Sequence, residues 1–250
     1  MMYEQYLPAA FIHNPVEGDM RRGSPEIVLY NPAPEPCEAT LTVYFTDRDP
    51  ATLKPVAVKP ETNELIFFPS YAPEVLTDAG FVGLKCVSTT PLLLNLIDGV
   101  RLVVPEPQFR GGCTNFHGTK LDTVWRVPDG LWLEWNKQYN GDLSKAPFPF
   151  NEGEFYHFLN PNPVDVEMEM TIEYRRTPHE VRHITIGAER VWVWDNVDDV
   201  HYCNGYAIRT RSSAPIAVQA VRYLYGLNGL QDWGLTVHCA MHGIPGPAQE

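Results

Sequence analysis

The chain has 250 residues, is 44% hydrophobic and 12% aromatic, and carries a formal net charge of −12. Such a field repels polyanions, and Lys and Arg never run beyond two in a row, so nucleic acid is not an expected partner. No stretch approaches the roughly 18 apolar residues of a membrane span, the opening MMYEQYLPAAFIHNP has no signal-like basic start, and five cysteines leave an odd one without paired spacing; a soluble, reducing, cytoplasmic setting is expected.

Residues 1–25 are aromatic, Pro-bearing and without period, which predicts an irregular arm or a short edge strand. Residues 39–45 alternate, with Ala39, Leu41, Val43 and Phe45 on one face and Thr40, Thr42 and Tyr44 on the other, as a half-buried strand does. Short apolar runs follow at 65–68, 81–87, 92–97 and 102–104, separated by Pro, Gly, Asn and Asp. The Gly-rich stretch 111–118 (GGCTNFHG) lacks alternation and reads as a joint. Beyond it, strands are expected at 155–159, 166–174, 182–186, 191–194, 206–211, 216–225 and 235–241. In 166–174 the residues Val166, Met168, Met170, Ile172 and Tyr174 face inward, and Glu167, Glu169, Thr171 and Glu173 outward. With 23 prolines and no convincing helical period, the pattern is that of an all-β protein.

The second set of strands echoes the first. Asn160-Pro161 follows Asn31-Pro32 by 129 residues, Glu154 is taken as the counterpart of Glu26, and Met170 to Tyr174 matches Leu41 to Phe45. Further on, 184–186 (ITI) matches 56–58 (VAV), and 212–218 (SSAPIAV) matches 88–94 (STTPLLL). The expectation is therefore two homologous antiparallel β-sandwich domains in tandem, residues 1–118 and 119–250.

Residues 125–130 (WRVPDG), Glu154, Asn160, 171–174 (TIEY), Pro178 and 214–222 (APIAVQAVR) resemble the sensory rhodopsin transducer family, and the first half resembles it through Glu26, Asn31, 42–50 (TVYFTDRDP) and 90–94 (TPLLL). The resemblance implies a small β-sandwich that assembles into oligomers and a wider family of small-molecule binders, sugars among their ligands. A fused pair of such sandwiches is expected to self-associate as a dimer that mimics a tetramer. The halves depart from one another: the first has Asn95 and Asp98 where the second has Gln219 and Arg222, and lacks the Trp125 to Gly130 opening.

All six tryptophans lie in the second half. In 191–194 (VWVW) both strand faces are bulky, so one must meet something other than its own core: a stacked sugar or a packing interface. Gln219 and Arg222, three apart, point to opposite faces of a regular strand. Arg222 is the preferred ligand contact, since its planar fork suits hydroxyl and oxyanion groups. The expected site for a small polar ligand joins Arg222 and Gln219 with Trp125, Trp192 or Trp194 as a stacking wall and Asp129 and Glu154 as hydroxyl acceptors. His201, Cys203, His238, Cys239 and His242 are zinc-type ligands without a paired knuckle, so neither metal nor other cofactor is expected. No nucleophile elbow, metalloprotease motif or phosphate loop is present, and Asp47, Asp49, Asp195, Asp198 and Asp199 fit turn chemistry. The functional expectation is a non-catalytic binding protein. The alternatives are a signalling or structural interaction module and a carbohydrate-active enzyme.

Overall fold

A computed structural model of the chain describes residues 2–12, 21–23, 25–76, 79–102, 111–130, 150–175, 177–195, 205–226, 237–242 and 244–245. The first half of the chain supplies the strands β1 (Tyr3–Ile12), β2 (Arg21–Gly23), β3 (Glu26–Asn31), β4 (Cys37–Phe45), β5 (Ala51–Thr52), β6 (Val56–Val58) and β7 (Thr62–Phe67). Two single-turn helices, α1 (Phe68–Tyr71) and α2 (Pro73–Leu76), precede β8 (Gly80–Ser88), β9 (Leu93–Leu102) and β10 (Gly111–His117). The second half contributes β11 (Asp122–Gly130), β12 (Phe150–Asn160), β13 (Val166–Tyr174), β14 (Glu180–Ile186), β15 (Arg190–Asp195), β16 (Tyr206–Gly226), β17 (Val237–His242) and β18 (Ile244–Pro245). The fold is all-β, and its strand pairings are antiparallel.

Among the described residues the strands form three sheets. The first runs β1-β8-β4-β5 with β6 added to β4, and the second runs β10-β9-β3-β7 with β2 added to β9. The third is built around β16, whose first part pairs with β11 and β13 and whose later part pairs with β12 and β17. The strand thus carries the sheet from one layer to the other. In the first half the same step is broken, β8 ending at Ser88 and β9 starting at Leu93. Both corners use one device: the Ser88 hydroxyl donates to the Thr90 carbonyl at 2.8 Å and the Ser212 hydroxyl to the Ala214 carbonyl at 2.8 Å.

Buried side chains fall into three clusters. Leu41, Val43 and Leu84 of the first sheet meet Ile27, Leu29 and Leu96 of the second. Trp125, Met170 and Ile208 on one layer of the third sheet meet Tyr156, Phe158 and Val218 on the other. The third cluster joins the first sheet to the third, with Tyr6 and Tyr44 against Leu159, Val191 and Ala217. Backbones approach closely there: a Cβ on Gly83 would lie 2.9 Å from Val191 Cγ2, so the residue facing β15 has no side chain. Arg190 spans the same contact to Asp49 at 2.7 Å.

Covering both faces of the first sheet explains several departures from the sequence reading. Residues 39–45 are not half-buried, because Tyr44 on the supposed solvent face is 4% exposed beneath the third sheet. The opening residues form a ten-residue strand paired along β8, since their apolar side chains have a core to enter. The predicted joint is β10, zipped onto β9 from Gly111 opposite Arg101 to His117 opposite Asn95. The separate strands expected at 206–211 and 216–225 are one.

Asn31 and Asn160 do the same work. Asn31 Nδ2 is within 2.7 to 3.4 Å of the carbonyls of Glu35, Val58 and Lys59, and Asn160 Nδ2 within 2.9 to 3.1 Å of those of Val164, Ile186 and Gly187. Each Oδ1 accepts the backbone N–H two residues on, from Ala33 or Asn162. Glu61 and Glu189, with φ of 53° and 52°, take the left-handed conformation in the hairpins that these asparagines brace. Counted from these asparagines, Glu26 is not the counterpart of Glu154. It lies five residues before Asn31 and Glu154 six before Asn160, and one residue of slip changes the face of a strand. Glu26 stands opposite Ile97, as Phe155 stands opposite Val221.

Candidate functional site

Glu154, Tyr156 and Phe158 project from β12 into the second cluster, as period-2 spacing requires. Glu154 is 2% exposed, a burial that a carboxylate tolerates only when hydrogen-bonded. Tyr206, the first residue of β16, donates its hydroxyl to Glu154 Oε2 at 2.7 Å. The Tyr156 hydroxyl lies 3.2 Å from Glu154 Oε1 and 3.1 Å from the Tyr206 hydroxyl. Burial first, then the Tyr156 and Glu154 charges, hold the Tyr206 phenol well above its ordinary value, so it stays a neutral donor. Gly130 stands opposite Tyr206 in the ladder, where any Cβ would run into the tyrosine ring.

Aromatic rings enclose this group. The Trp194 and Tyr156 rings are 5.2 Å apart, and those of Tyr174 and Tyr206 are 6.3 Å apart. The Arg182 guanidinium lies 5.3 Å from the Trp194 ring centre, held by Glu180 Oε1 at 2.7 and 2.9 Å, and Glu180 Oε2 accepts the Tyr174 hydroxyl at 3.2 Å. Carboxylate, neutral phenols, cation and indole thus meet at one end of the sandwich. Glu154, Tyr156, Tyr174, Trp194 and Tyr206 are each no more than 5% exposed, so the set is buried and hydrogen-bonded within itself.

Four residues expected at the site come to this end of the fold. Glu154 and Trp194 are in the cluster, the backbone of Arg222 is the ladder partner of Glu154, and Asp129 precedes Gly130 in β11. The side chains of Asp129 and Arg222 lie outside the described residues. Trp192 is half-buried one step along β15, its ring 5.1 Å from Phe158. The other face of that strand, Val191 and Val193, meets the first sheet.

Two expected residues are elsewhere. Trp125 is fully buried, its indole N–H shared between the carbonyls of Asp122 at 3.0 Å and Ile216 at 2.9 Å, and offers no face to a ligand. Gln219 is buried on the opposite face of β16, opposite His157 beneath the first sheet. Among the described residues neither amide atom of Gln219 nor ring nitrogen of His157 has a hydrogen-bond partner, and burial pushes the His157 imidazole down to about 3. Sequence reasoning missed Tyr156, Tyr174 and Tyr206. Tyr156 alone was signalled, by standing two residues from Glu154 on the same strand face. His201 and Cys203, and the side chains of His238, Cys239 and His242, lie outside the described residues, among which no three metal-type side chains gather.

No family model matches the chain. No curated protein matches it. Among solved structures it is similar to Thermotoga maritima 1070, at 16% identity and a TM-score of 0.40 over 51% of this chain and 97% of that one. The Anabaena sensory rhodopsin transducer is similar at 20% identity and a TM-score of 0.29, over 38% of this chain and 90% of that one. Among the described residues no helix is long and apolar enough to cross a membrane.

Proposed function

We propose that the chain is a non-catalytic binding protein for a small polar molecule, a sugar or sugar derivative, held at the Glu154 end of the third sheet. The observation that carries this reading is the buried Glu154 carboxylate, held by the Tyr206 and Tyr156 hydroxyls beside Trp194. We assign the donor fork to Arg222, whose backbone stands opposite Glu154 in the ladder. A cytoplasmic, reducing setting belongs to the same proposal, on the odd cysteine count. So does a tandem of homologous sandwiches, residues 1–118 and 119–250, supported by the matched asparagines and left-handed glutamates. The test is a thermal-shift screen across mono- and oligosaccharides, sugar acids and nucleotides, because a ligand of the folded state raises its melting temperature. A hit that persists in both Glu154→Gln and Tyr206→Phe would refute the placement. Silence throughout the screen would transfer weight to an interaction role.

That second reading has its own observation. Tyr30, Leu65, Phe67 and Leu93 are 38 to 61% exposed on the outer face of the second sheet, beside Val28 and Ile97. The corresponding face of the third sheet, with Leu159, Val191 and Ala217, is covered within the chain by the first sheet. A second copy is the proposed cover, joined face to face about a twofold axis, since an apolar face is complementary to itself. Light scattering of wild type and Leu93→Lys is the check: a dimer is expected for the first and a monomer for the second, and monomeric wild type at micromolar concentration refutes it.

A further inference from the structure

The layer of the third sheet formed by β11, β16 and β13 has a second concavity on its outer face, away from Glu154. It is a cleft of about 180 Å³ lined by Val124, Arg126, Glu169, Thr171, Arg209 and Arg211. Its floor follows from the ladders. Arg126 stands directly opposite Arg209, and Val124 opposite Arg211; across β16, Thr171 stands opposite Arg209 and Glu169 opposite Arg211. Residues opposed in a ladder project from the same sheet face, so three guanidinium groups rise from adjacent strands around one hollow.

This arrangement is unfavourable on its own. Like charges directly opposite in a ladder repel, and here the partners Arg126 and Arg209 have the same sign. Arg209 is paired with Glu173, Nε to Oε1 at 3.3 Å, and Glu169 lies across the ladder from Arg211. Arg126 is exposed, and no carboxylate among the described residues lies within ion-pair distance of it. The hollow therefore keeps a surplus of positive charge in a chain whose net charge is −12. Ladder-opposed Arg126 and Arg209 line the same hollow, which brings two planar forks within reach of one oxyanion.

We infer that this cleft binds an oxyanion group of a small molecule, a phosphate, sulfate or carboxylate, clamped between Arg126 and Arg209, with Arg211 completing the cationic rim. The anion reverses the sign of the Arg126 to Arg209 interaction, from repulsion to shared attraction. At about 180 Å³ the hollow is small, matched to one phosphate-sized group with a small attachment. A polymer is excluded by the acidic surroundings. The site is separate from the Glu154 end and stands without it.

The experiment uses the full chain, with inorganic phosphate, sulfate and citrate titrated against sodium chloride of equal ionic strength. Melting temperature and calorimetric Kd are read for wild type, Arg126→Gln and Arg209→Gln. Phosphate or citrate is expected to raise the wild-type melting temperature beyond the chloride control. Arg126→Gln is expected to weaken the Kd by about tenfold or more, the loss of a charge-assisted partner. Without anion, the same substitution is expected to leave the melting temperature level or higher, because it removes the opposed like charge. Inorganic phosphate alone suffices if the bare group is the ligand; preference for citrate or a sugar phosphate identifies the carrying molecule. The inference is overturned if wild type responds no more to oxyanions than to chloride, if both variants keep wild-type affinity, or if Arg126→Gln melts lower in anion-free buffer.

Discussion

Taking the protein from pH 7 to pH 5 should cost it about 2 kcal/mol of stability through one side chain, His157. The imidazole is buried between β12 and the first sheet, with Phe81 edge-on at 5.1 Å, and its ladder neighbours are Gln219 and Val193. None of these is charged, and neither ring nitrogen has a hydrogen-bond partner among the described residues, so desolvation pushes it from 6.5 down to about 3. The folded value lies below the unfolded one. The unfolded chain therefore takes up the proton first, stability is whole above about 6.5, and it is lost progressively as pH falls toward 3. At pH 5 the unfolded imidazole is protonated by about 1.5 pH units and the folded one is not, and at about 1.36 kcal/mol per unit this gives about 2 kcal/mol. Urea unfolding of wild type and His157→Val at pH 7 and pH 5 isolates it. Valine suits because Val28 stands opposite Asn95 in the first half, as His157 stands opposite Gln219 in the second. The variant should lose about 2 kcal/mol less than wild type between the two pH values, with unchanged m-value. Equal losses in both proteins would refute the reasoning, because the other histidines and all carboxylates are common to them.

Asn160→Ala should destabilise by roughly 2–4 kcal/mol in chemical denaturation, since it strands the buried Ile186 carbonyl and removes the acceptor of the Asn162 N–H. Asn31→Ala should cost less, as two of its three carbonyl contacts are 3.3 and 3.4 Å long. Gly130→Ala drives a methyl group into the Tyr206 ring and should cost about 1–3 kcal/mol, while abolishing any melting shift by a ligand of the Glu154 end. Glu189→Gly relieves a left-handed residue of roughly 1–2 kcal/mol strain against about 0.5–1 kcal/mol of lost chain entropy, so a small rise in melting temperature is expected where glycine in a strand would lower it.

Which side chains of a strand share a face is a local property, and there the sequence alone was sufficient. Strict alternation in residues 166–174 places Met168, Met170 and Ile172 in the core and Glu167 and Glu169 outside, as observed, whereas Thr171 and Glu173, expected outside with them, are buried and half-buried. The three-residue spacing of Gln219 and Arg222 gives them unlike parity, and their backbones pair with His157 and Glu154 in an unbroken ladder. The recurrence of Asn31-Pro32 as Asn160-Pro161 was legible too, although not that each asparagine braces a hairpin around a left-handed glutamate. What a face meets was decided only by tertiary structure. Tyr44, Val191 and Gln219 occupy positions open to solvent in an isolated sandwich, yet are buried because the first sheet lies on the third. Glu154 acquires its nature from Tyr206, 52 residues away on another strand, and Arg126 acquires its unfavourable neighbour from Arg209 across a ladder. Parity is set by the geometry of one strand, whereas burial, polar partners and charge opposition arise from contacts between segments far apart in the chain, which no periodicity encodes.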